Sequence, residues 1–377
     1  MSNNPLVQIH EFGQSLWLDE ISRSLLTTGE LRRLIDEDGL RGMTSNPTIF
    51  QKAIGKGDDY AEELKQLGGS SVSQAYEALV VKDIGAAADI FRPVYDSENG
   101  ADGFVSLEVS PLLANDTQAT TKEAKELWNR LHRPNVMIKV PGTPAGIPAV
   151  EELIASGLNI NVTLIFAVPV YERVAEAYIR GLERRAEAGQ AIDRIASVAS
   201  FFVSRIDTAV DKQLEQLGAK ESNPARKHEI EGLMGKAAIA NARLAYESFL
   251  KIFSGERWER LKAQGAKVQR PLWASTSTKN PKYRDTLYVE ELIGAHTVNT
   301  VPVKTLEDFR DHGVAKPTLE TGLGEAHRVF DDLNKVGIDM KSVTEKLTED
   351  GVASFAKSFN DLIEVIKGRR DEMSRAA

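Results

Sequence analysis

The chain has no cysteine, which excludes disulfides, thiolate nucleophiles and cysteine-ligated metal sites and fits a reducing compartment. It has no uninterrupted apolar stretch near the ~20 residues that a membrane-spanning helix needs. Its first residues, Met1-Ser2-Asn3-Asn4-Pro5, carry neither the basic nor the apolar segment of a secretory signal. The triplets Asn115-Asp116-Thr117 and Asn161-Val162-Thr163 are therefore not read as glycosylation sites. No basic stripe is visible, and a net charge of −8 argues against broad nucleic-acid binding. It leaves room for a small anion, which a few Arg, Lys and backbone N–H groups can hold. The six histidines lack metal-ligand spacing and are expected to be structural, His296 before the last strand included. Gly142-Thr143-Pro144-Ala145-Gly146 lacks the Gly-Lys-Ser/Thr ending of a phosphate loop, and Gly55-Lys56-Gly57 reads as a surface turn. These absences point to a cytoplasmic protein with no membrane, nucleic-acid or metal partner.

What is present is an ordinary globular composition: 377 residues, 42% hydrophobic and 27% charged. Short apolar runs at 15–18, 42–45, 104–109, 136–140, 160–166, 195–203, 268–275 and 297–301 read as strands. Helical patterns lie between them, at 19–36, 73–92, 117–131, 168–187 and 281–293. Alternating units of this kind predict parallel strands joined by crossover helices. Eight of them predict a (β/α)8 TIM barrel with additional helices, with an open doubly wound sheet as the alternative. We expect one barrel domain over residues 1–377, with a helical insertion around 207–261 and C-terminal helices over 325–372. The insertion reads as two helices split near Ser222-Asn223-Pro224, and Lys367-Gly368-Arg369-Arg370 as a solvated tail.

Within Val136-Met137-Ile138-Lys139-Val140 a lysine interrupts an apolar strand. Burying an ammonium is costly, and one chemical use of a buried lysine is as an amine nucleophile that forms a Schiff base with a carbonyl. The competing reading is a rim lysine whose stem packs while its head reaches water. Polar residues close the neighbouring strands too: Asp19, then Thr44, Ser45 and Asn46, then Glu108, then Asn161 and Thr163, then Ser200 followed by Arg205, then Ser275 through Lys279. Asn299 on the eighth strand is ambiguous. Singly, Asp19, Thr44, Asn46 or Ser200 could be a helix cap. Together they match the active-site rim of a barrel. Glu108 could shuttle protons for Lys139, Asp19 could take a hydroxyl proton, and Thr163 could orient a water. Asn46 and Asn161 suit sugar hydroxyls, and Ser200, Arg205 and Ser275 form a phosphate seat.

Gly42-Met43-Thr44-Ser45-Asn46-Pro47-Thr48-Ile49-Phe50, Val136 through Thr143, Leu158 through Phe166 and Ser200 through Asp207 resemble, in order, four signatures of the transaldolase family. The resemblance implies a barrel enzyme that needs no metal or organic cofactor. Such an enzyme moves a dihydroxyacetone unit between sugar phosphates in the non-oxidative pentose phosphate pathway. It implies Lys139 as the Schiff-base residue, Glu108 and Thr163 on the catalytic water, and Asp19 as acid and base. It also implies substrate binding by Thr44, Asn46, Asn161, Ser200, Arg205 and Ser275. Lys279 stands where familiar members carry a second basic residue of the phosphate site. Glu108 and Phe202 favour transfer over release of the three-carbon unit, because releasing relatives tend to carry Gln and Tyr there. A barrel that binds sugar phosphates without catalysis is the remaining alternative. The expected assembly is a monomer or homodimer.

Overall fold

The structure is a computed structural model describing residues 4–55 and 58–376. Eight strands, β1 (Gln14–Asp19), β2 (Gly42–Thr44), β3 (Phe104–Glu108), β4 (Val136–Pro141), β5 (Ile160–Ile165), β6 (Ser197–Phe202), β7 (Arg270–Ala274) and β8 (Thr297–Val301), pair in sequence order. All pairings are parallel, and β8 closes back onto β1. The closure realises the expected (β/α)8 barrel and excludes the open sheet. The strands are buried on both faces, which is why they read as apolar runs rather than alternating ones.

Paired residues in a parallel sheet point to the same face, so the register carries the interior set around the barrel. Trp17 stands opposite Gly42, and Gly42 opposite Phe104. Trp17, Phe104, Met137, Val198, Leu272 and Val298 fill the lower interior. Position 42 has to be glycine, since a Cβ there would lie 2.5 Å from the Trp17 indole. Below this layer, the Asp102 carboxylate accepts from the Ser15 hydroxyl and from Trp17 Nε1 at 2.8 Å. Arg270 donates to Ser15 Oγ at 2.7 Å and to Ala101 O at 3.0 Å, completing a polar floor.

The outer helices follow from local signals. Thr117–Leu131 starts at Asp116, whose side chain accepts from Ala119 N, and it ends at His132 with φ of 46°. Its buried stripe, Thr120, Ala124, Leu127 and Leu131, has helical spacing and faces β4. Each buried leucine there stabilises by about 2 kcal/mol. Val72–Ser97 opens with a reciprocal Ser71/Gln74 capping box.

Several expectations need correction. The stretch 19–36 is two helices, Arg23–Thr27 and Glu30–Asp38, broken at Gly29 with φ of 85°. The stretch 281–293 holds only Leu287–Glu290; at its start the Asn280 side chain accepts from Lys282 N at 3.0 Å and sets a turn instead. The insertion carries four helices rather than two: Ser204–Lys220, Pro224–Glu231, Ala237–Ile252 and Glu256–Lys262. Asn223 caps the second as expected, whereas Gly235 and Gly255, at φ of 71° and 90°, separate the others. The C-terminal stretch splits at Gly337, φ 92°, into Leu323–Lys335 and Met340–Ala376.

The second of these helices continues through Lys367-Gly368-Arg369-Arg370, which is no loose tail. Arg369 donates to Ile54 O at 2.8 Å and Arg370 to Ser70 O at 2.7 Å. Pro5–Gln8, Pro47–Gly55, Ala61–Gln66, Gly146–Ala155 and Val303–His312 are further helices that were not among those expected. Lys56 and Gly57 of the expected surface turn, like Met1–Asn3 of the N-terminus, lie outside the described residues. No described helix is long and apolar enough to cross a membrane.

Candidate active site

Barrel closure brings the polar strand ends together. Asp19 stands opposite Thr44, Glu108 opposite Lys139, and Lys139 opposite Asn161. Thr163, two residues beyond Asn161, stands opposite Pro141. They border a cavity of about 350 Å³ at the C-terminal mouth, whose wall includes Asp19, Thr44, Asn46, Lys139, Ser200, Arg205, Ser275 and Lys279. Glu108, Asn161 and Thr163 lie behind this wall and are buried.

Lys139 is buried, and its Nζ donates to Ser45 O at 3.2 Å. Glu108 Oε2 lies 3.9 Å from the same Nζ, too far for a hydrogen bond, and has no hydrogen-bonding partner among the described residues. Burial pushes the Glu108 carboxyl up to about 7, Asp19 reinforces the shift, and the Lys139 charge opposes it. Desolvation therefore outweighs the ion-pair attraction, and Glu108 can hold a proton near neutrality.

Behind Lys139, Asn161 donates to Ser106 Oγ at 3.1 Å and accepts from Ser200 Oγ at 2.7 Å. Both ends of its amide are thus fixed, and Ser200 spends its proton on it. Thr163 Oγ1 is buried without a partner among the described residues. On the other side, Thr44 donates to Asp19 Oδ1 at 2.6 Å and lies 2.7 Å from Thr300 Oγ1. Because the Thr44 proton goes to the carboxylate, Thr300 is the donor in the second bond. Burial raises the Asp19 pKa, against the pull of Lys139, Thr44, Arg205 and Lys52. Asn46 does act as a cap: its Oδ1 accepts from Ile49 N at 3.0 Å. Its amide nitrogen remains for the cavity.

The opposite end of the cavity is cationic. The Arg205 guanidinium sits 5.1 Å from the Phe202 ring centre and 6.0 Å from that of Phe355, which reaches in from Met340–Ala376. Lys279 donates to Ser277 Oγ at 2.7 Å. Burial, with the charges of Arg205 and Lys52, holds its ammonium below the usual lysine value. Ser275 lies 2.9 Å from Ser204 Oγ, and its carbonyl accepts from Ser204 N at 3.0 Å. Ser275 and Leu164 adopt left-handed φ of 57° and 58°. Leu164 follows Thr163 at a register shift between β5 and β6. Backbone strain of this kind is held in place by the surrounding packing.

Sequence reasoning missed Ser106, Thr300, Lys52 and Phe355. Ser106 precedes Glu108 by two residues and so shares its face, a signal that was there to read. Thr300 has the interior parity, whereas the ambiguous Asn299 points outward and accepts from Thr276 Oγ1 at 2.8 Å. Lys52 and Phe355 belong to helices whose docking no strand pattern announces. His296 precedes β8 and is at the far end of the barrel from the cavity. Among the described residues, no group of His, Asp and Glu is arranged to hold a metal ion.

Comparisons with known proteins agree with this geometry. The family described as Transaldolase/Fructose-6-phosphate aldolase matches residues 16–366. The chain is 49% identical to a protein named transaldolase from Parafrankia sp. (strain EAN1pec), across 100% of both chains. It is 46% identical to the transaldolase of Trichodesmium erythraeum, covering 96% of this chain and 97% of that one. It is 44% identical to the transaldolase of Mycobacterium marinum, over 99% and 100% respectively.

Proposed function

The chain belongs to the transaldolase/fructose-6-phosphate aldolase family, and from that premise we propose that it is a transaldolase acting through a Schiff base on Lys139. The donor is a ketose phosphate such as sedoheptulose 7-phosphate or fructose 6-phosphate. The acceptor is an aldose phosphate, glyceraldehyde 3-phosphate or erythrose 4-phosphate. The reaction belongs to the non-oxidative pentose phosphate pathway. The observation that carries the reading is the pairing of buried Lys139 with Glu108, a carboxyl that keeps its proton near neutrality at 3.9 Å.

The Lys139 amine adds to the ketose carbonyl carbon, giving a carbinolamine. Glu108 protonates the departing hydroxyl, which leaves as water, and an iminium forms. Asp19 takes the proton of the hydroxyl carried by the far carbon of the bond to be broken. That carbon–carbon bond then breaks, its electron pair moves into the iminium, and an aldose leaves. The raised pKa of Asp19 suits a base that must return the proton in the second half-reaction. The enamine left on Lys139 attacks the aldehyde carbon of the acceptor, and hydrolysis through the same carbinolamine frees the new ketose. Glu108 Oε2 and Thr163 Oγ1, both buried without partners, are the groups left for the water of these steps. Asn46 addresses the sugar hydroxyls, and Asn161, held at both amide ends, fixes Ser200 at the cavity wall, where its oxygen can accept from a substrate hydroxyl. Arg205, Ser275 and Lys279 address the phosphate.

One hydrophobic core joins residues from Leu6 to Ile366, which supports reading the chain as a single barrel domain. On this reading the enzyme works in the cytoplasm as a monomer or homodimer. The deciding experiment follows fructose 6-phosphate with and without erythrose 4-phosphate, measuring sedoheptulose 7-phosphate beside free dihydroxyacetone. Acceptor-dependent transfer is expected. Release of free dihydroxyacetone at the same rate without acceptor would make the protein an aldolase instead, and no turnover of either kind would leave only a binding barrel.

A further inference from the structure

The cavity wall carries four cations, Lys52, Lys139, Arg205 and Lys279, and two carboxylates, Asp19 and Glu20. Lys139 has Glu108 behind it and Ser45 O as acceptor. The other three are different. Among the described residues, none of Lys52, Arg205 and Lys279 has a carboxylate oxygen within ion-pair distance, although charged side chains are paired in many places elsewhere on the surface. Arg205 is held by two aromatic faces and Lys279 by one hydroxyl, contacts that leave their charge uncompensated. Clustering unpaired cations is unfavourable unless an anion joins them.

Lys52 reaches the cluster from a direction no strand supplies. It lies on Pro47–Gly55, the helix that Asn46 starts. Thr48 and Lys52 are four residues apart, hence on one helix face, and both line the cavity. Thr48 is fastened by a 2.8 Å bond to Ser358 of the C-terminal helix, the element that also brings Phe355 against Arg205. The face bearing Lys52 is thereby fixed toward the anion end. Lys52 is close enough for its charge to act on both Lys279 and Asp19.

We propose that Lys52 is a third phosphate-binding cation of this cavity, with Arg205 and Lys279. It sets selectivity for phosphate monoesters over uncharged sugars of the same length. The inference rests on the sugar-phosphate reading of the cavity. A doubly charged phosphoryl group with three acceptor oxygens matches three converging cations better than two.

The test uses the full chain as wild type, Lys52→Met and Lys52→Arg, with inorganic phosphate as the calorimetric probe. In parallel, kcat/KM is measured for glyceraldehyde 3-phosphate and for glyceraldehyde as acceptors. Lys52 is exposed, so unchanged melting is the check that the variants fold. Lys52→Met is expected to weaken phosphate binding by about tenfold and to lower the phosphorylated-to-unphosphorylated preference by a similar factor, while Lys52→Arg restores most of both. Phosphate affinity and acceptor preference within about twofold of wild type in Lys52→Met would overturn the proposal while leaving transaldolase activity standing. Lys52-dependent phosphate binding in a protein without transfer activity would do the reverse. A wild type that does not bind phosphate at all would overturn the proposal, while the transfer assay alone decides the transaldolase reading.

Discussion

Glu108 and Lys139 face each other across neighbouring strands at 3.9 Å, both buried, with no hydrogen bond between them. An ion pair at this depth would have drawn the two together, but burial of the carboxyl prevails and Glu108 is pushed up to about 7. On the proposed reading, the amine nucleophile thus has a proton donor beside it that is not locked to it.

The stability of the fold carries the mark of this arrangement. A carboxyl whose folded pKa lies above its unfolded value binds more protons in the folded state, so stability falls as pH rises between the two values. For Glu108 that window runs from 4.5 to about 7. Urea melts of wild type and Glu108→Gln should show the wild type losing ground as pH rises through the window, by about 3 kcal/mol at most, and no further change above it. A difference between the two proteins that is independent of pH would contradict the burial account.

Borohydride added with fructose 6-phosphate should trap a covalent adduct on Lys139, located by peptide mass spectrometry. Lys139→Ala should abolish the adduct and lower kcat by more than about a thousandfold. An adduct on another lysine would sink the mechanism.

Thr44 donates to Asp19, and its loss removes an interaction that lowers the Asp19 pKa. In Thr44→Val the acid limb of the kcat/KM profile should therefore move to higher pH. Thr300 also loses its acceptor, so the variant should be less stable by about 1–3 kcal/mol. An acid limb at the wild-type position would detach Asp19 from that limb.

Gly42→Ala should destabilise by more than about 1–3 kcal/mol, measured by denaturant midpoint, because the new methyl would stand 2.5 Å from the Trp17 ring. Indole, Gly42 and Phe104 share one interior level, so there is nowhere for the ring to retreat. A midpoint equal to wild type would show that Trp17 is loosely held.

Phe355→Leu keeps the C-terminal helix packed but removes one ring from Arg205. A contact of this type is worth about 0.5–1 kcal/mol. KM for phosphorylated substrates should rise about two- to fivefold with kcat nearly unchanged. A change in kcat alone would assign Phe355 to closure rather than binding.

The sequence made the barrel legible because strands buried on both faces are short apolar runs, and each polar interruption near a strand end then had to be explained. Asn161 and Thr163 could be placed on one face of their strand by alternation alone, whereas the register set Lys139 beside them. What stayed hidden depends on distant partners. The stretch 281–293 has helical periodicity, but its tyrosines are claimed by carboxylates of another helix: Tyr283 donates to Asp211 and Tyr288 to Asp207. Lys52 and Phe355 enter the cavity from helices whose positions are set by tertiary packing. Asn161 shows a subtler limit. Its residue type announced a hydrogen-bonding role, yet Ser106 and Ser200 already occupy both ends of its amide.

The polar floor of Ser15, Asp102 and Arg270, with the aromatic layer above it, lies beneath the cavity, which sits at the C-terminal mouth of the barrel. On the proposed reading, the departing aldose and its replacement use that same mouth and the same three cations, so each is a competitor of the other.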